Sequence, residues 1–137
     1  MNARRRSGTD LWDGPVATAD RGAVDVSIQM LFGLMLALLV MLLIFETAAY
    51  WHARNVLDDA AAEGARVAAA FDGTCAEGVA AAQAVVLRTA GSWADDVNVS
   101  CVDGPTVTVI VSGNTPGVLG NALGFHAQAT ETAPKEG

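Results

Sequence analysis

Little in this chain is aromatic, basic or sulfur-bearing, and each shortage removes a class of protein. Aromatic residues are 6% of its 137 positions, so a core outside lipid has to be built from small side chains, Ala and Val above all. Eight Lys and Arg face fifteen Asp and Glu, for a formal net charge of −7. Arg54, Arg66, Arg88 and Lys135 stand isolated among acids. A nucleic-acid binder needs a basic face, so nucleic acid is not an expected partner. His52, His126, Cys75 and Cys101 do not fall at metal-ligand spacing, and zinc is not expected.

Catalytic signatures are equally scarce. Neither histidine has a nucleophile motif near it, and Ser92, Ser100 and Ser112 lack the sharp Gly-x-Ser-x-Gly turn. Asp95-Asp96 reads as a solvated acidic turn, and the Gly-rich stretch after Ser112 has neither phosphate-loop spacing nor a Lys. The expectation is a protein that is not an enzyme, with no cofactor and no small-molecule substrate.

What the chain does have is one long apolar run. Val26 to Phe45 reads VSIQMLFGLMLALLVMLLIF, without a charge. About 20 helical residues span a bilayer core roughly 30 Å thick. A buried helix of a soluble domain would carry a polar stripe, and only Ser27 and Gln29, both at the start, interrupt this one. A cleaved secretory signal has an apolar stretch of about 7–15 residues and a small-residue site behind it. Here the run is longer, and Glu46-Thr47-Ala48-Ala49-Tyr50-Trp51 follows. The reading is a single transmembrane helix, with the lipid bilayer as first partner. Arg4, Arg5, Arg6 and Arg21 precede it, against His52 and Arg54 just beyond. The positive-inside rule then puts the N-terminus in the cytoplasm and the C-terminal domain outside, with Tyr50 and Trp51 at the interface.

The expected organisation is a disordered cytoplasmic tail over 1–24, a transmembrane helix over 25–46, an extracytoplasmic domain over 47–133 and a frayed end over 134–137. Asp25 is placed to cap the helix. From Glu46 to Phe71 the sequence is Ala-rich with Gly64 its sole glycine, so the helix should continue past the membrane surface. Asp72-Gly73 should end it, with the glycine in a left-handed conformation. Thr74-Cys75-Ala76-Glu77 reads as a capping box opening a second helix to about Ala90, closed by Gly91. Val79, Val86 and Ala90 would share its inner face, and Gly78 would weaken it.

Beyond Gly91 the period falls to two. Val97, Val99 and Cys101 alternate with polar residues, as do Val107, Val109 and Val111, around the turn Asp103-Gly104-Pro105. This predicts a β-hairpin. Residues 113–124 form a loop, and the alternation of Phe125, Ala127 and Ala129 adds a third strand. The fold class is therefore α+β: a long N-terminal helix whose outer part packs on a short helix and a small antiparallel sheet. Cys75 and Cys101 form a disulfide in an oxidising compartment, or else stay as two buried unpaired thiols.

That layout and specific residues resemble the TadE-like family of pilin-related proteins of the tight-adherence pilus system. Arg21-Gly22-Ala23-Val24 is similar to a prepilin-type start, and Leu43-Ile44-Phe45-Glu46 with Tyr50-Trp51-His52-Ala53-Arg54 is similar to the family's helix exit. Asp59-Ala60-Ala61-Ala62-Glu63-Gly64-Ala65-Arg66 resembles its Ala-Ala-x-Glu-Gly-Ala-Arg signature. The resemblance covers roughly residues 21–70 and implies a pilin-like fold. It also implies a minor pilin or pseudopilin role, with other pilins and the pilus assembly machinery as partners. High Ala and Gly usage suggests a GC-rich bacterium such as an actinobacterium.

By the same resemblance 1–22 would be a prepilin-like leader, cleaved between Gly22 and Ala23. The family pattern places a Glu at the fifth mature position, where this chain has Ser27, and the acid stands third, at Asp25. Asp25 is either the assembly carboxylate that neutralises a neighbour's amine or only a helix cap. The alternative to a pilus role is an unprocessed, membrane-anchored interaction module. Ala60, Gly64 and Ala68 form a small-residue face that meets either this chain's own sheet or another subunit, the first being expected since the outer helix must cover the sheet.

Overall fold

The computed structural model describes residues 16–119, 122 and 125–137, with side chains from Asp25 onward. The tail expected before Val16 lies outside the described residues. The elements are α1 (Val16–Ala69), α2 (Cys75–Ala90), a short 3-10 helix (Gly91–Asp96), β1 (Val97–Val102), β2 (Thr106–Asn114) and β3 (His126–Pro134). The chain divides into two compact units, at Met41 and Leu42.

The first unit is helical from Val16. Helix therefore replaces the expected tail over 16–24, and Asp25 stands well inside α1 rather than at its cap. The reason is local: after Pro15 the residues Val16–Val24 include one glycine and no further proline to interrupt an α-helical ladder. From Asp25 to Met41 every residue is exposed, including Met30, Phe32, Leu36 and Leu39. This helix is long and apolar enough to cross a membrane.

In the second unit the same helix changes character. Ala53, Val56, Leu57, Ala60, Ala61, Ala65 and Ala68 are buried, a spacing of three and four that makes one apolar stripe. The stripe packs into a core with Val86 and Ala82 of α2, Val107, Val109 and Val111 of β2, and Ala127 and Ala129 of β3. The sheet is an antiparallel meander in the order β1-β2-β3. Val111 is paired with Val99 on one side and Ala129 on the other, which puts these residues on a common face. Strand β2 buries alternate residues along its length, and it extends two residues past Ser112, taking Gly113 and Asn114 from the expected loop.

Close approach of α1 and α2 defines the core. A methyl group at Gly64 would lie 2.9 Å from the Gly78 carbonyl oxygen and 3.1 Å from Val109 Cγ1. One at Gly78 would lie 2.6 Å from Ala68 Cβ. The small-residue face of α1 is thus covered from within the chain, by α2 and β2. The inner stripe of α2 is Gly78, Ala82, Val86 and Ala90, so Gly78 forms the contact that Val79 was expected to make.

The ends of the helices are closed by polar contacts. Thr74 caps α2 in the expected capping box with Glu77, and Gly91 ends it at φ 62°. The end of α1 differs from expectation: it stops at Ala69, and Gly73 is not in a left-handed conformation. Gly73 is there for space, since a side chain would collide with the Val67 and Ala68 carbonyls, while its N–H donates to the Ala70 oxygen at 2.8 Å. Nor is the C-terminus free. The Glu136 N–H donates to the Ala69 oxygen (2.9 Å) and the Lys135 N–H to the Pro105 oxygen (3.2 Å). The reason is that the last carbonyls of a helix need donors.

A disulfide joins Cys75 of α2 to Cys101 of β1, with Cα atoms 5.6 Å apart. It closes a loop with a sequence separation of 26, which stabilises by about 3.5 kcal/mol in the chain-entropy treatment. Reducing it should lower the unfolding midpoint of the detergent-solubilised protein. The variant Gly64→Ala should cost about 1–3 kcal/mol through overpacking, read by chemical unfolding. An unchanged midpoint in that variant would show that the α1–α2 approach has room to spare.

Candidate functional site

The family-like residues fall at two places in the second unit. Glu46 stands just past the apolar run, and Glu63, Gly64 and Arg66 lie in the last two turns of α1.

Glu46 is half-buried. Its Oε1 accepts the backbone N–H of Leu119 at 2.7 Å, across a separation of 73 residues. Gly117 lies against the same carboxylate, so that a side chain there would collide with it. The loop between β2 and β3 is thereby drawn onto α1, while its neck is closed by Thr115. The Thr115 N–H donates to the Phe125 oxygen at 2.9 Å, and its Oγ1 to the same oxygen at 3.3 Å. One residue along, Thr47 donates its hydroxyl to the Leu43 carbonyl at 2.7 Å, so its polar group is satisfied within the helix. Tyr50 packs half-buried against the core, edge to face with Trp51, which is exposed.

The second group separates by role. Gly64 makes the helix crossing. Glu63 and Arg66 form a two-pronged pair on the surface, with Nε and Nη2 donating to the two carboxylate oxygens at 2.9 and 2.7 Å. The hydrogen bond from Arg66 holds the Glu63 carboxyl below its ordinary range, and Glu63 raises the guanidinium in turn. Arg54 and Asp58 make a looser pair at 3.9 Å. Asp103 at the hairpin turn accepts from Lys135 Nζ at 3.0 Å, and that bond lowers its pKa. Gly22 and Ala23 fall within the α1 backbone, and their surroundings lie outside the described side chains. Asp25 is exposed. Asp25 lies in the first unit, and Glu46 and Glu63 lie in the second.

Among the described residues, no three His, Cys, Asp or Glu side chains are grouped to hold a metal ion. An open groove of about 180 Å³ lies between α2, the 3-10 helix and β1, lined by Gln83, Val86, Leu87, Ala94, Val97 and Val99. It falls below the roughly 300–1,000 Å³ of ligand pockets and offers Gln83 as its polar side chain. What the arrangement provides is contact surface and anchoring. Gly117 and Leu119 are the partners of Glu46 that sequence reasoning passed over. The signal was Pro116-Gly117 in an uncharged loop, which marks a turn without naming the distant carboxylate.

Residues 26–66 match the family model described as TadE-like protein. No curated protein and no solved structure matches the chain. The matched segment contains the whole apolar run, Glu46 and the Glu63-Gly64-Ala65-Arg66 group.

Loss of the Glu46 carboxylate in Glu46→Ala should cost about 1.5–3 kcal/mol, the range for hydrogen bonds to charged groups, less what water recovers at this half-exposed position. Amide exchange at Leu119 should rise; unchanged protection there would rule out the tie. Asp103 contributes stability above its unfolded value of about 4, and this is lost as the pH falls through its lower folded value. Lys135→Met should therefore lower the thermal midpoint slightly at neutral pH, with the difference vanishing once the pH has fallen through the lowered folded value of Asp103. A difference that persists there would assign the effect to packing.

Proposed function

We propose that this chain, a member of the TadE-like family through its residues 26–66, serves as a minor pilin or pseudopilin in assembly of a tight-adherence type pilus or a related surface apparatus. The observation that carries the reading is the match itself, taken with its physical content. It covers a helix whose first stretch is apolar and exposed on every face and whose last stretch forms the core of a small α+β domain. A subunit of this design is held in the membrane until assembly and presents its domain on the far side. The N-terminus is cytoplasmic and the domain extracytoplasmic, as the Arg distribution favours, and a disulfide suits that compartment. Other pilins and the assembly machinery are the partners.

Processing after Gly22 belongs to this reading, with Asp25 as the assembly carboxylate. The position of Asp25 well inside a helix supports a role other than capping. Inside an apolar filament an unpaired N-terminal amine would be costly, and Asp25 would neutralise it. Ser27, at the position where the family pattern has Glu, favours the second reading, an unprocessed anchored interaction module.

Deleting the protein in its native host should abolish surface pili, seen by electron microscopy, and complementation should restore them. Pili of normal number and length in the deletion strain would favour the anchored module. Intact mass measurement of the membrane-extracted protein tests the processing: the mature chain should begin at Ala23, and an unprocessed N-terminus in cells with active peptidase would refute cleavage.

A further inference from the structure

A membrane-crossing helix leaves lipid where its apolar run ends, and here that point is Phe45, one residue before Glu46. At 1.5 Å per residue, Glu46 stands about 1.5 Å beyond the hydrocarbon edge. Trp51 stands about 9 Å beyond it. The headgroup layer on each side is about 5–7 Å deep, so Glu46 to Tyr50 cover it. Thr47, with its hydroxyl turned back onto Leu43, fits a boundary where free polar groups are costly.

The loop between β2 and β3 is tied to this level by the 2.7 Å bond from Leu119 N–H to Glu46. Its sequence from Thr115 to Phe125, TPGVLGNALGF, has no charge. A loop in water would ordinarily turn its apolar residues inward, yet Val118 is 75% exposed and Phe125 44% exposed. Neither belongs to the core of the unit, which is built from α1, α2 and the sheet.

We propose that Val118, Leu119 and Phe125 form a second membrane contact, seated in the headgroup layer beside the helix exit. The occupant is the lipid surface, because Glu46, one residue past the apolar run, holds Leu119 at the level where α1 leaves lipid. Burying Val118 in the acyl boundary removes apolar area from water, and an uncharged loop avoids the cost of desolvating an ion. This rests on the reading of α1 as a membrane span.

The test uses the full chain in phosphatidylcholine–phosphatidylglycerol vesicles, with the native disulfide intact and a nitroxide attached in turn to Leu36→Cys, Val118→Cys and Thr132→Cys. Accessibility to oxygen and to a water-soluble nickel chelate gives depth. Position 36 should read as deep in lipid and position 132, exposed on β3, as aqueous. Position 118 should give an oxygen-to-chelate ratio several-fold above that of 132. A ratio at 118 equal to that at 132, with 36 deep, would overturn the loop contact while leaving the span intact. Protection of 118 from both reagents, with spin broadening relieved by dilution with unlabelled protein, would overturn it in favour of a neighbouring copy. An aqueous reading at 36 would remove the span itself.

Discussion

Within the second unit, everything is organised by one steric condition: the backbones of α1 and α2 must touch at Gly64 and Gly78. Each glycine faces the other helix so closely that a methyl group has no room. The rest of the composition follows from this approach. With the helices this near, Ala60, Ala61, Ala65, Ala68 and Ala82 are the sizes that fit between them, and the larger volume needed below is supplied by Leu57 and the valines of β2. A core poor in aromatics is thus not an underfilled one. It is closely packed from small parts, and dispersion falls off steeply with any gap, so the fit must be tight. The disulfide from Cys75 to Cys101 then ties α2 to the sheet at the end of the helix where Gly78 lies.

The same helix meets a different condition in each unit. Up to Phe45 its side chains are large and apolar on every face, and each face has only lipid to satisfy it if the helix crosses a membrane. From Ala53 onward the apolar residues narrow to one stripe and the opposite face carries Arg54, Asp58, Asp59, Glu63 and Arg66. The matched family segment spans this change. Its charged pair Glu63–Arg66 lies on the water side of the stripe, one residue away from the glycine of the crossing. A short motif thereby holds a packing requirement and a solubility requirement on adjacent helix faces. An exposed ion pair contributes little energy, and here its value is in keeping that face polar.

How much of this could be read in advance depended on the range of the interaction. The α+β class and the hairpin are written in local periodicity, and the capping box at Thr74 in local sequence. The third strand follows the alternation but runs His126–Pro134, with Phe125 exposed before it and its carbonyl turned to Thr115. Gly64 was legible as a small-residue face, whereas Gly78 read as a weakness because helix propensity is local and its benefit comes from a partner fourteen residues earlier. The 3-10 helix Gly91–Asp96 has too few residues to show a period. Gly73 read as a left-handed cap because a glycine after a helix usually is one; a collision with two carbonyls leaves no trace in composition. The bond between Glu46 and Leu119 was out of reach for the same reason. A carboxylate and a backbone N–H 73 residues apart share no pattern, and a backbone donor is present at every residue but proline.

Long-range bonds hold both sides of the segment that carries β3. Leu119, seven residues before β3, is tied to Glu46, and Glu136, two residues after it, is tied to Ala69. A one-residue slip in the β2–β3 register would move the tail by more than 3 Å and draw the Glu136 N–H off the Ala69 carbonyl. It would also turn Ala127 and Ala129 away from the core. The β2–β3 register and the Glu136–Ala69 hydrogen bond therefore constrain one another. The ladder to β2 places this edge strand, and the bond from Glu136 to Ala69 closes the segment that follows it.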